Sequence, residues 1–383
     1  MAEAFKELIN AEVMRQVGHH LQRVWPAFPR QHFEDQALQG LGGLAFKARA
    51  QQLAQALGST LPSDFHAAAD VLEASLKRIG APRHDHDPDQ ELGTLRTDET
   101  GLAGWPLWGV GEYIATHGMA HPDRALRALH ALTQRFTAEF AIRPFWVHHP
   151  ELTLRTLHTW VHDPSAHVRR LVSEGSRPRL PWGLRLQSLV ADPTPMLPLL
   201  SLLQDDPSEY VRRSVANHLN DIAKDHPQLL LHWLKTHLPA APKTRQRLLR
   251  HACRTLIKQG HPGVMAAWGL GQPFHGQATL ALDTMQVHVG GVLGLSVTLA
   301  STAAQTQTLE IDLRVHYRKA DGSLAPKVFK GQQITLEAGG TWPWRKKLSF
   351  RPVTTRTLYP GPHRLELQIN GQVVAGSPFE LLG

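Results

Sequence analysis

The stretch DDPSEYVRRSVANHLNDIAKDHP, from Asp205 to Pro227, has the boundaries of a helix. Asp206 is a favourable N-cap, and Pro207 after it suits the first helical position, where a missing N–H costs nothing. Pro227 predicts the end of the helix because proline cannot continue one. The apolar stripe expected to pack against other helices consists of Val211, Val215, Leu219 and Ile222.

The opposite edge of this helix is polar. It carries, in register, Arg213, Asn217, Asp221 and Lys224. Three donors and one carboxylate along one edge suit contact with a phosphate backbone and stabilisation of a cation. The alternative is an ordinary solvated face.

A second stretch repeats the first. Asp163 to Gly175 reads DPSAHVRRLVSEG, and seven of its thirteen residues match DPSEYVRRSVANH from Asp206 to His218. The offset of 43 residues lies within the period of about 40–47 residues that is typical of HEAT-type helical pairs. The repeat therefore predicts stacked helical pairs whose inner helices line a concave surface.

The composition fits an intracellular protein with a polyanionic partner. The 383 residues include 41 Lys and Arg against 33 Asp and Glu, a net charge of +8, and a single cysteine, Cys253. One cysteine excludes an internal disulfide and agrees with a reducing compartment. No apolar run reaches membrane-spanning length, so we expect a cytoplasmic protein without a membrane partner.

The pattern of hydrophobic residues changes near residue 270. Helical periodicity precedes it, whereas LEIDLRVHY (309–317) and HRLELQI (363–369) alternate strictly, as half-buried strands do. Asn370-Gly371 predicts a two-residue hairpin turn. We therefore predict a multidomain chain: an all-α HEAT-like repeat solenoid over residues 1–270, followed by an all-β immunoglobulin-like sandwich over residues 271–383 that binds DNA.

Three motifs resemble the AlkC type of DNA alkylation repair glycosylase, which is related to AlkD within the HEAT-like superfamily. They are FTAEFAIRPF (136–145), HVRRLVSEGSRPRLPW (167–182) and VRRSVANHLNDIAKDHP (211–227). One branch of that family carries an immunoglobulin-like domain at its C-terminus. The resemblance implies excision of cationic alkylated bases, chiefly N3-methyladenine and in some members N3-methylcytosine, without full base flipping.

The second motif has a charged edge and a stiff exit loop. Arg170, Glu174 and Arg177 follow at i, i+4 and i+7, and Gly175 predicts the end of the helix. Arg179 and Trp182 lie on the proline-braced loop, which suits phosphate contact and a wedge against DNA. The alternative is a plain connection with Trp182 in the core.

The first motif and a segment before it supply two more carboxylates. Glu139 and Arg143 are four residues apart near the end of a predicted helix that Pro144 terminates. The resemblance implies that this motif, with Phe140, faces the DNA and that Glu139 is catalytic. Trp108 and Glu112, also four residues apart, resemble the aromatic-carboxylate pair that AlkD uses, although such a pair can be purely structural.

Carboxylates suit the implied chemistry. A base alkylated on its ring is already cationic, and its departure leaves an oxocarbenium-like sugar that a carboxylate stabilises. The same group can orient a water molecule. The catalytic candidates are Glu139, Glu174, Asp221 and Glu112. Nothing singles out a lysine nucleophile, so we expect a monofunctional enzyme without lyase activity.

The expected partner is double-stranded DNA with alkylated bases, bound by a monomer without cofactor or metal. His84-Asp85-His86-Asp87 is a poor metal site because its ligands alternate within a polar loop. Trp342 to Lys347 is a basic, aromatic cluster that either contacts DNA or packs its tryptophans inside. The DNA-binding candidates are Phe140, Arg143, Arg170, Arg177, Arg179, Trp182, Arg212, Arg213, Asn217, Lys224, Trp342, Trp344, Arg345, Lys346 and Lys347. The competing function is a HEAT-type scaffold that binds nucleic acid or protein and has no catalytic activity.

Overall fold

A computed structural model describes residues 5–78, 95–353 and 356–383. Helices come first, and they are α1 (Ala11–Val24), α2 (Arg30–Leu38), α3 (Phe46–Thr60), α4 (Phe65–Ser75), α5 (Pro106–His117), α6 (Pro122–Thr133), α7 (Arg143–His148), α8 (Pro150–Trp160), α9 (Ala166–Glu174), α10 (Gln187–Ala191), α11 (Leu197–Leu203), α12 (Glu209–Asp225), α13 (Pro227–His237), α14 (Lys243–Ala252), α15 (Arg254–Lys258) and α16 (Pro262–Ala267). Short 3₁₀ turns occupy Glu7–Ile9, Leu41–Gly43 and Thr194–Met196.

Strands follow, and they are β1 (Gly276–Leu282), β2 (Gln286–His288), β3 (Val292–Ser301), β4 (Gln307–Arg318), β5 (Leu324–Leu336), β6 (Thr341–Ser349), β7 (Gly361–Ile369) and β8 (Gln372–Leu382). The change from helix to strand thus falls between Ala267 and Gly276. By their contacts, the described residues up to 226 form one compact unit with residues 240–252, and residues 227–239 form the other with the described residues from 253 onward. Helices α13, α15 and α16 therefore group with the strands.

Helix α12 realises the predicted amphipathic helix, with different ends. All four residues of the apolar stripe are buried. The N-cap is Ser208 instead of Asp206, and Pro207 lies before the cap. The Asp206 carboxylate accepts the backbone N–H of Ser208 at 2.8 Å, so it braces the approach to the helix. Pro227 begins α13, because proline is as suitable for a first turn as it is unsuitable for continuing a helix.

The repeated DPS–VRR sequence forms the same local structure twice. Asp163 accepts the N–H of Ser165 before α9, as Asp206 does before α12. The first arginine of each VRR triplet, Arg169 or Arg212, donates to the carbonyls of the preceding Asp-Pro pair. Arg169 also forms a bidentate pair with Asp206, at 2.6 and 3.0 Å, which joins the two repeats.

The first motif is folded differently from its prediction. Residues 139–142 form turns, and Pro144 lies in the first turn of α7 instead of ending a helix. A proline at this position loses no hydrogen bond, because the first N–H groups of a helix have no partner within it. Glu139 is therefore carried by a turn whose own hydrogen bonds fix its direction.

The strands form two sheets that enclose one apolar core. The first has the order β1-β3-β6, and the second has the order β2-β8-β7-β4-β5. Asn370 and Gly371 form the predicted hairpin turn between β7 and β8, both with positive φ. Strand β4 buries its apolar residues as predicted, but Glu310 and Asp312 are buried too. They lie on an interior strand, where Asp312 accepts the N–H of Gly331 across a register shift.

Candidate active site

The helical unit contains a cavity of about 450 Å³. Its wall is largely aromatic, with four buried or half-buried charged side chains and an exposed tryptophan beside them. It is lined by Arg96, Gly104, Trp105, Trp108, Phe136, Thr137, Glu139, Phe140, Arg170, Glu174, Arg177, Leu180, Pro181, Trp182 and Tyr210. An apolar wall with few charged groups is the usual composition of a ligand-binding cavity.

The charged side chains form an alternating series across the cavity and behind it. Arg170 Nη1 lies 2.7 Å from Glu139 Oε2, and Arg170 Nη2 lies 3.7 Å from Glu174 Oε1. Arg177 then connects Glu174 Oε1, at 2.6 Å, with Asp221 Oδ2, at 2.8 Å. The series ends at Lys224, 2.8 Å from Asp221 Oδ1. Three carboxylates thus alternate with three cations.

The predicted edge of the second motif explains part of this series. Arg170 and Glu174 lie one turn apart on α9, and Arg177 follows the helix, so all three reach the same side. The remaining partners come from elsewhere in the chain: Glu139 from the turn at 139–142, and Asp221 from α12.

Glu139 is held at only one of its carboxylate oxygens. Oε2 accepts from Thr137 Oγ1, at 2.8 Å, and from Arg170. Within the part of the chain that the structure describes, no protein donor is bonded to Oε1. The side chain is 13% exposed and lines the cavity. Glu139 therefore combines a fixed orientation with one carboxylate oxygen that can act on a ligand.

Glu174 is held at both oxygens. Arg177 and Arg170 contact Oε1, and Ser214 Oγ donates to Oε2 at 2.6 Å. Burial alone would raise the pKa of this carboxyl, but Arg170, Arg177 and the Ser214 bond hold it below its ordinary value. Glu174 is thus a buried anion that joins the two repeats.

The arginines on either side of Glu174 remain fully charged. Burial alone would lower the pKa of Arg170, yet Glu139, Tyr210 and Glu174 raise it above the ordinary value. Its guanidinium also lies 5.1 Å from the centre of the Tyr210 ring. Burial likewise opposes the charge on Arg177, and Glu174 and Asp221 more than offset it, so its pKa is raised.

Two predicted carboxylates do not line the cavity. Asp221 is buried behind it and reaches it only through Arg177. Glu112 accepts the indole N–H of Trp108 at 3.1 Å and thereby orients that ring. The Trp108 ring in turn stacks on Phe140, with 5.3 Å between their centres.

The loop after α9 presents Trp182 to solvent. This side chain is 69% exposed, so the alternative of a core tryptophan is excluded. Its backbone has φ of +64°, which is rare for a residue with a Cβ atom. Arg179, on the same loop, makes a bidentate pair with Asp225 at the end of α12.

Two predicted DNA contacts, Arg143 and Arg212, bind backbone carbonyls, and burial rules out DNA contact in this conformation for Arg143 only. Arg143 is fully buried and donates to the carbonyls of Gly175 and Leu184. Arg212 donates to the carbonyls of Asp206 and Pro207 and so supports the start of α12. In both cases the guanidinium group donates to backbone carbonyls. The spacing of side chains along the sequence does not reveal such partners.

The polar edge of α12 is only partly exposed. Arg213 and Lys224 are exposed and Asn217 is half-buried, whereas Asp221 between them is buried. Asn217 Oδ1 lies 3.0 Å from His251 Nε2 of α14. The middle of this edge therefore faces the interior, where Asp221 pairs with Arg177. Its exposed cations are Arg213 at one end and Lys224 at the other.

Strand β6 divides the basic, aromatic cluster between its two faces. Trp342 and Trp344 are half-buried and pack against the core of the sandwich, which is the alternative weighed against DNA contact. Lys346, on the same face, donates to the carbonyl of Lys330 at 2.9 Å. Arg345 and Lys347 are exposed. The alternation of a strand, applied to this segment, would have separated these residues.

Sequence reasoning missed several residues that line the cavity or hold its charged side chains. Thr137 bonds both Glu139 and Arg170, Ser214 bonds Glu174, and Tyr210 contacts the Arg170 guanidinium. For Tyr210 the repeat gave a usable indication, because Tyr210 aligns with His167 in the other copy. The centres of the two rings lie 5.7 Å apart. Thr137 and Ser214 carried no such signal, because they act on residues brought near by folding.

The described residues include neither a cluster suited to a metal ion nor a helix suited to a membrane. No group of three or more His, Cys, Asp or Glu side chains among them is arranged to hold a metal ion. The segment His84 to Asp87, weighed above as a metal site, lies outside the described residues. None of the described helices combines the length and apolar character needed to span a membrane.

Comparison with known proteins supports the same architecture. Residues 277–383 match the family described as the C-terminal Ig-like domain of the uncharacterised protein YhaZ. The uncharacterised protein YhaZ of Bacillus subtilis (strain 168) is 34% identical over 384 residues, covering 98% of this chain and 99% of its own. The structure of Pseudomonas fluorescens alkylpurine DNA glycosylase AlkC, bound to DNA with an abasic site analog, matches with a TM-score of 0.88. That match has 34% identity and covers 99% of each chain.

The fold therefore defines a protein with HEAT-like helical repeats and a C-terminal immunoglobulin-like domain. At this identity and coverage, the chain belongs to the AlkC family of DNA alkylation repair glycosylases.

Proposed function

We propose that this protein is a monofunctional DNA glycosylase that hydrolyses the N-glycosidic bond of cationic alkylated bases. N3-methyladenine is the expected main substrate, and N3-methylcytosine is a second one. The observation that carries the proposal is Glu139, a carboxylate with one oxygen fixed by Thr137 and Arg170 and one available at an aromatic cavity. It is supported by membership of the AlkC family.

The chemistry requires charge stabilisation more than proton donation. When the bond between C1′ and the ring nitrogen breaks, its electron pair neutralises the cationic base, so the base leaves without a general acid. The sugar becomes oxocarbenium-like, and a nearby carboxylate stabilises it. Water then attacks C1′, and Glu139 Oε1 accepts its proton. The products are the free base and an abasic site.

We assign the other carboxylates to supporting roles. Glu174 holds Arg170 and Arg177, and through Arg170 it orients Glu139. Asp221 anchors Arg177, and Glu112 orients Trp108. The charges of the three carboxylates are balanced by those of Arg170, Arg177 and Lys224. Stabilisation of the sugar cation therefore depends on where Glu139 Oε1 points more than on the total charge of the site.

The proposed partner is double-stranded DNA, bound by a monomer at the bacterial nucleoid. Its phosphates would meet exposed cations, namely Arg213 and Lys224 on α12 and Arg345 and Lys347 on β6. Trp182 would stack or insert beside the lesion, because it is a large exposed ring at the edge of the cavity. A base read in this way needs no full rotation out of the helix.

The test is release of bases from a methylated duplex. Purified protein is incubated with such DNA, and free bases are separated by chromatography and identified by mass, with unmethylated duplex and Glu139→Gln as controls. We expect N3-methyladenine from the wild type and about a hundredfold less from the variant. Tight binding of the duplex without release of any base would instead support the non-catalytic scaffold.

A further inference from the structure

The segment from Gly175 to Leu186, here called the tryptophan loop, is held in an unfavourable conformation. Trp182 has φ of +64°, a region in which its Cβ is crowded by the backbone. Such residues persist only where the surrounding structure fixes them, and they are concentrated at functional sites. The structure must therefore contain groups that hold this loop.

One such group is Arg143, which binds both ends of the tryptophan loop. Its Nη1 donates to the carbonyl of Gly175 at 2.9 Å, and its Nε donates to the carbonyl of Leu184. Gly183 packs on the same guanidinium, since a Cβ there would lie 3.2 Å from Arg143 Nε and 3.0 Å from Leu180 Cδ2. A single side chain thus fixes the distance between the two ends.

Stability alone does not account for an arginine at this position. Arg143 is fully buried, and among the described residues no carboxylate lies within ion-pair distance of it. Its Nη2 has no hydrogen-bond partner among the described residues either. Burial, and secondarily Arg177, lower its pKa to about 10, so it is still a cation at neutral pH. An unpaired buried cation is unfavourable compared with an apolar side chain of similar size.

We propose that Arg143 is a positioning residue that holds the tryptophan loop in the conformation presenting Trp182 to DNA. It acts through Trp182 and does not touch the substrate. The part of this proposal that concerns DNA rests on the proposed function, whereas the part that concerns the loop does not.

The test combines a double-mutant cycle with a measurement that needs no activity. Arg143→Lys, Trp182→Ala and the double variant are compared in single-turnover release of N3-methyladenine at saturating enzyme. We expect Arg143→Lys to slow release at least tenfold in the wild type and not at all in Trp182→Ala. Trypsin should cleave Arg143→Lys faster than wild type after Arg179 or Arg185, because the loop loosens.

Arg49→Lys is the matched control. Arg49 is also buried, and it donates to the carbonyls of Lys6, Ile9 and Leu44. We expect Arg49→Lys to lower thermal stability without changing the rate of N3-methyladenine release or of trypsin cleavage within the tryptophan loop. If Arg143→Lys does not fold, Gly183→Ala replaces it, because its Cβ would push the loop from the guanidinium.

Equal slowing by Arg143→Lys with and without Trp182 would overturn the proposal, as would wild-type rates of trypsin cleavage. Absence of base release by the wild type would contradict the proposed function only, and the cleavage rates would still decide the role of Arg143.

Discussion

At the scale of single residues, the cavity separates carboxylates that look equivalent in the sequence. Glu139 and Glu174 both belong to family motifs and both contact Arg170. Glu139 keeps one oxygen that no donor of the described residues contacts, and Glu174 has both oxygens bonded. Both residues lie in family motifs, so it is their hydrogen bonds that place Glu139 ahead of Glu174 as the candidate for catalysis.

The first prediction concerns this ranking. Glu139→Gln should lower single-turnover release of N3-methyladenine by about a hundredfold while duplex affinity stays within a fewfold. Glu174→Gln should lower the melting temperature as well as release, because it leaves Arg170 and Arg177 buried without their shared anion. Release and thermal melting are measured on both variants. Wild-type release by Glu139→Gln would remove Glu139 from the mechanism and direct attention to Glu174.

The second prediction concerns His218, a fully buried imidazole on α12. Burial lowers its pKa to about 4, while its Nδ1 bonds the Ser173 carbonyl at 2.9 Å. In the unfolded chain the pKa of this histidine is near 6.5, so between pH 6.5 and 4 the site binds more protons in the unfolded state than in the folded state. Stability should therefore fall as the pH drops through this window, by roughly 2 kcal/mol between pH 7 and 5.

His218→Asn tests this point because it keeps a donor near Nδ1 and does not titrate. Denaturant unfolding at pH 7 and pH 5 should show a smaller loss of stability in this variant than in the wild type. His148→Asn, at an exposed histidine, is the control and should lose as much as the wild type. An undiminished loss in His218→Asn would mean that other groups cause the pH dependence.

At the scale of elements, the repeated helices use their two adjacent arginines differently. The first arginine of each VRR triplet caps the helix start, and the second differs between repeats. Arg170 is half-buried and forms ion pairs at the cavity, whereas its counterpart Arg213 is exposed. One repeat thus supplies the site, and the other supplies the cationic surface.

The third prediction follows for α12. Arg213→Ala with Lys224→Ala should weaken binding to two duplexes of unrelated sequence by the same factor, and should reduce the salt slope by about two. Arg155→Ala with Lys235→Ala removes two exposed cations from other helices and should do neither. Affinities are measured by fluorescence anisotropy across salt concentrations. An effect limited to one duplex would contradict sequence-independent phosphate contact.

At the scale of the whole molecule, positive charge is concentrated in the strand-forming part. Residues 275–383 contain eleven Lys and Arg and seven Asp and Glu, so they hold half of the net charge of +8. Such an excess raises the affinity for a polyanion. On β6 it projects outward at Arg345 and Lys347, while the tryptophans face the core.

The fourth prediction tests whether this excess serves DNA. Arg345→Ala with Lys347→Ala should lower the affinity for duplex DNA and slow base release at physiological salt without changing the melting temperature. The control pair, Lys319→Ala with Lys327→Ala, removes the same number of charges at exposed residues outside β6. It should lower the DNA affinity and the rate of base release less. Equal effects of the two pairs would mean that net charge alone, and no surface of β6, is responsible.

The sequence by itself determined the architecture. The buried stripe of α12, the apolar core positions of β4 and the Asn370-Gly371 turn each depend on residues close in the chain, and each was confirmed, as was the helical form of both copies of the 43-residue repeat. Local patterns suffice there because helix periodicity, strand alternation and turn conformation are set within a few residues.

Only the tertiary structure decided which charged side chains are buried and which are exposed. Arg143, Arg177 and Arg213 look alike in the sequence, yet the first holds Leu184, 41 residues away, and the second holds Asp221, 44 residues away. Arg213 stays exposed. The same holds for Pro144, which begins a helix, and for Glu310, which is buried. Pairing and burial depend on which distant residue folding brings into contact, and spacing along the chain carries no record of that partner.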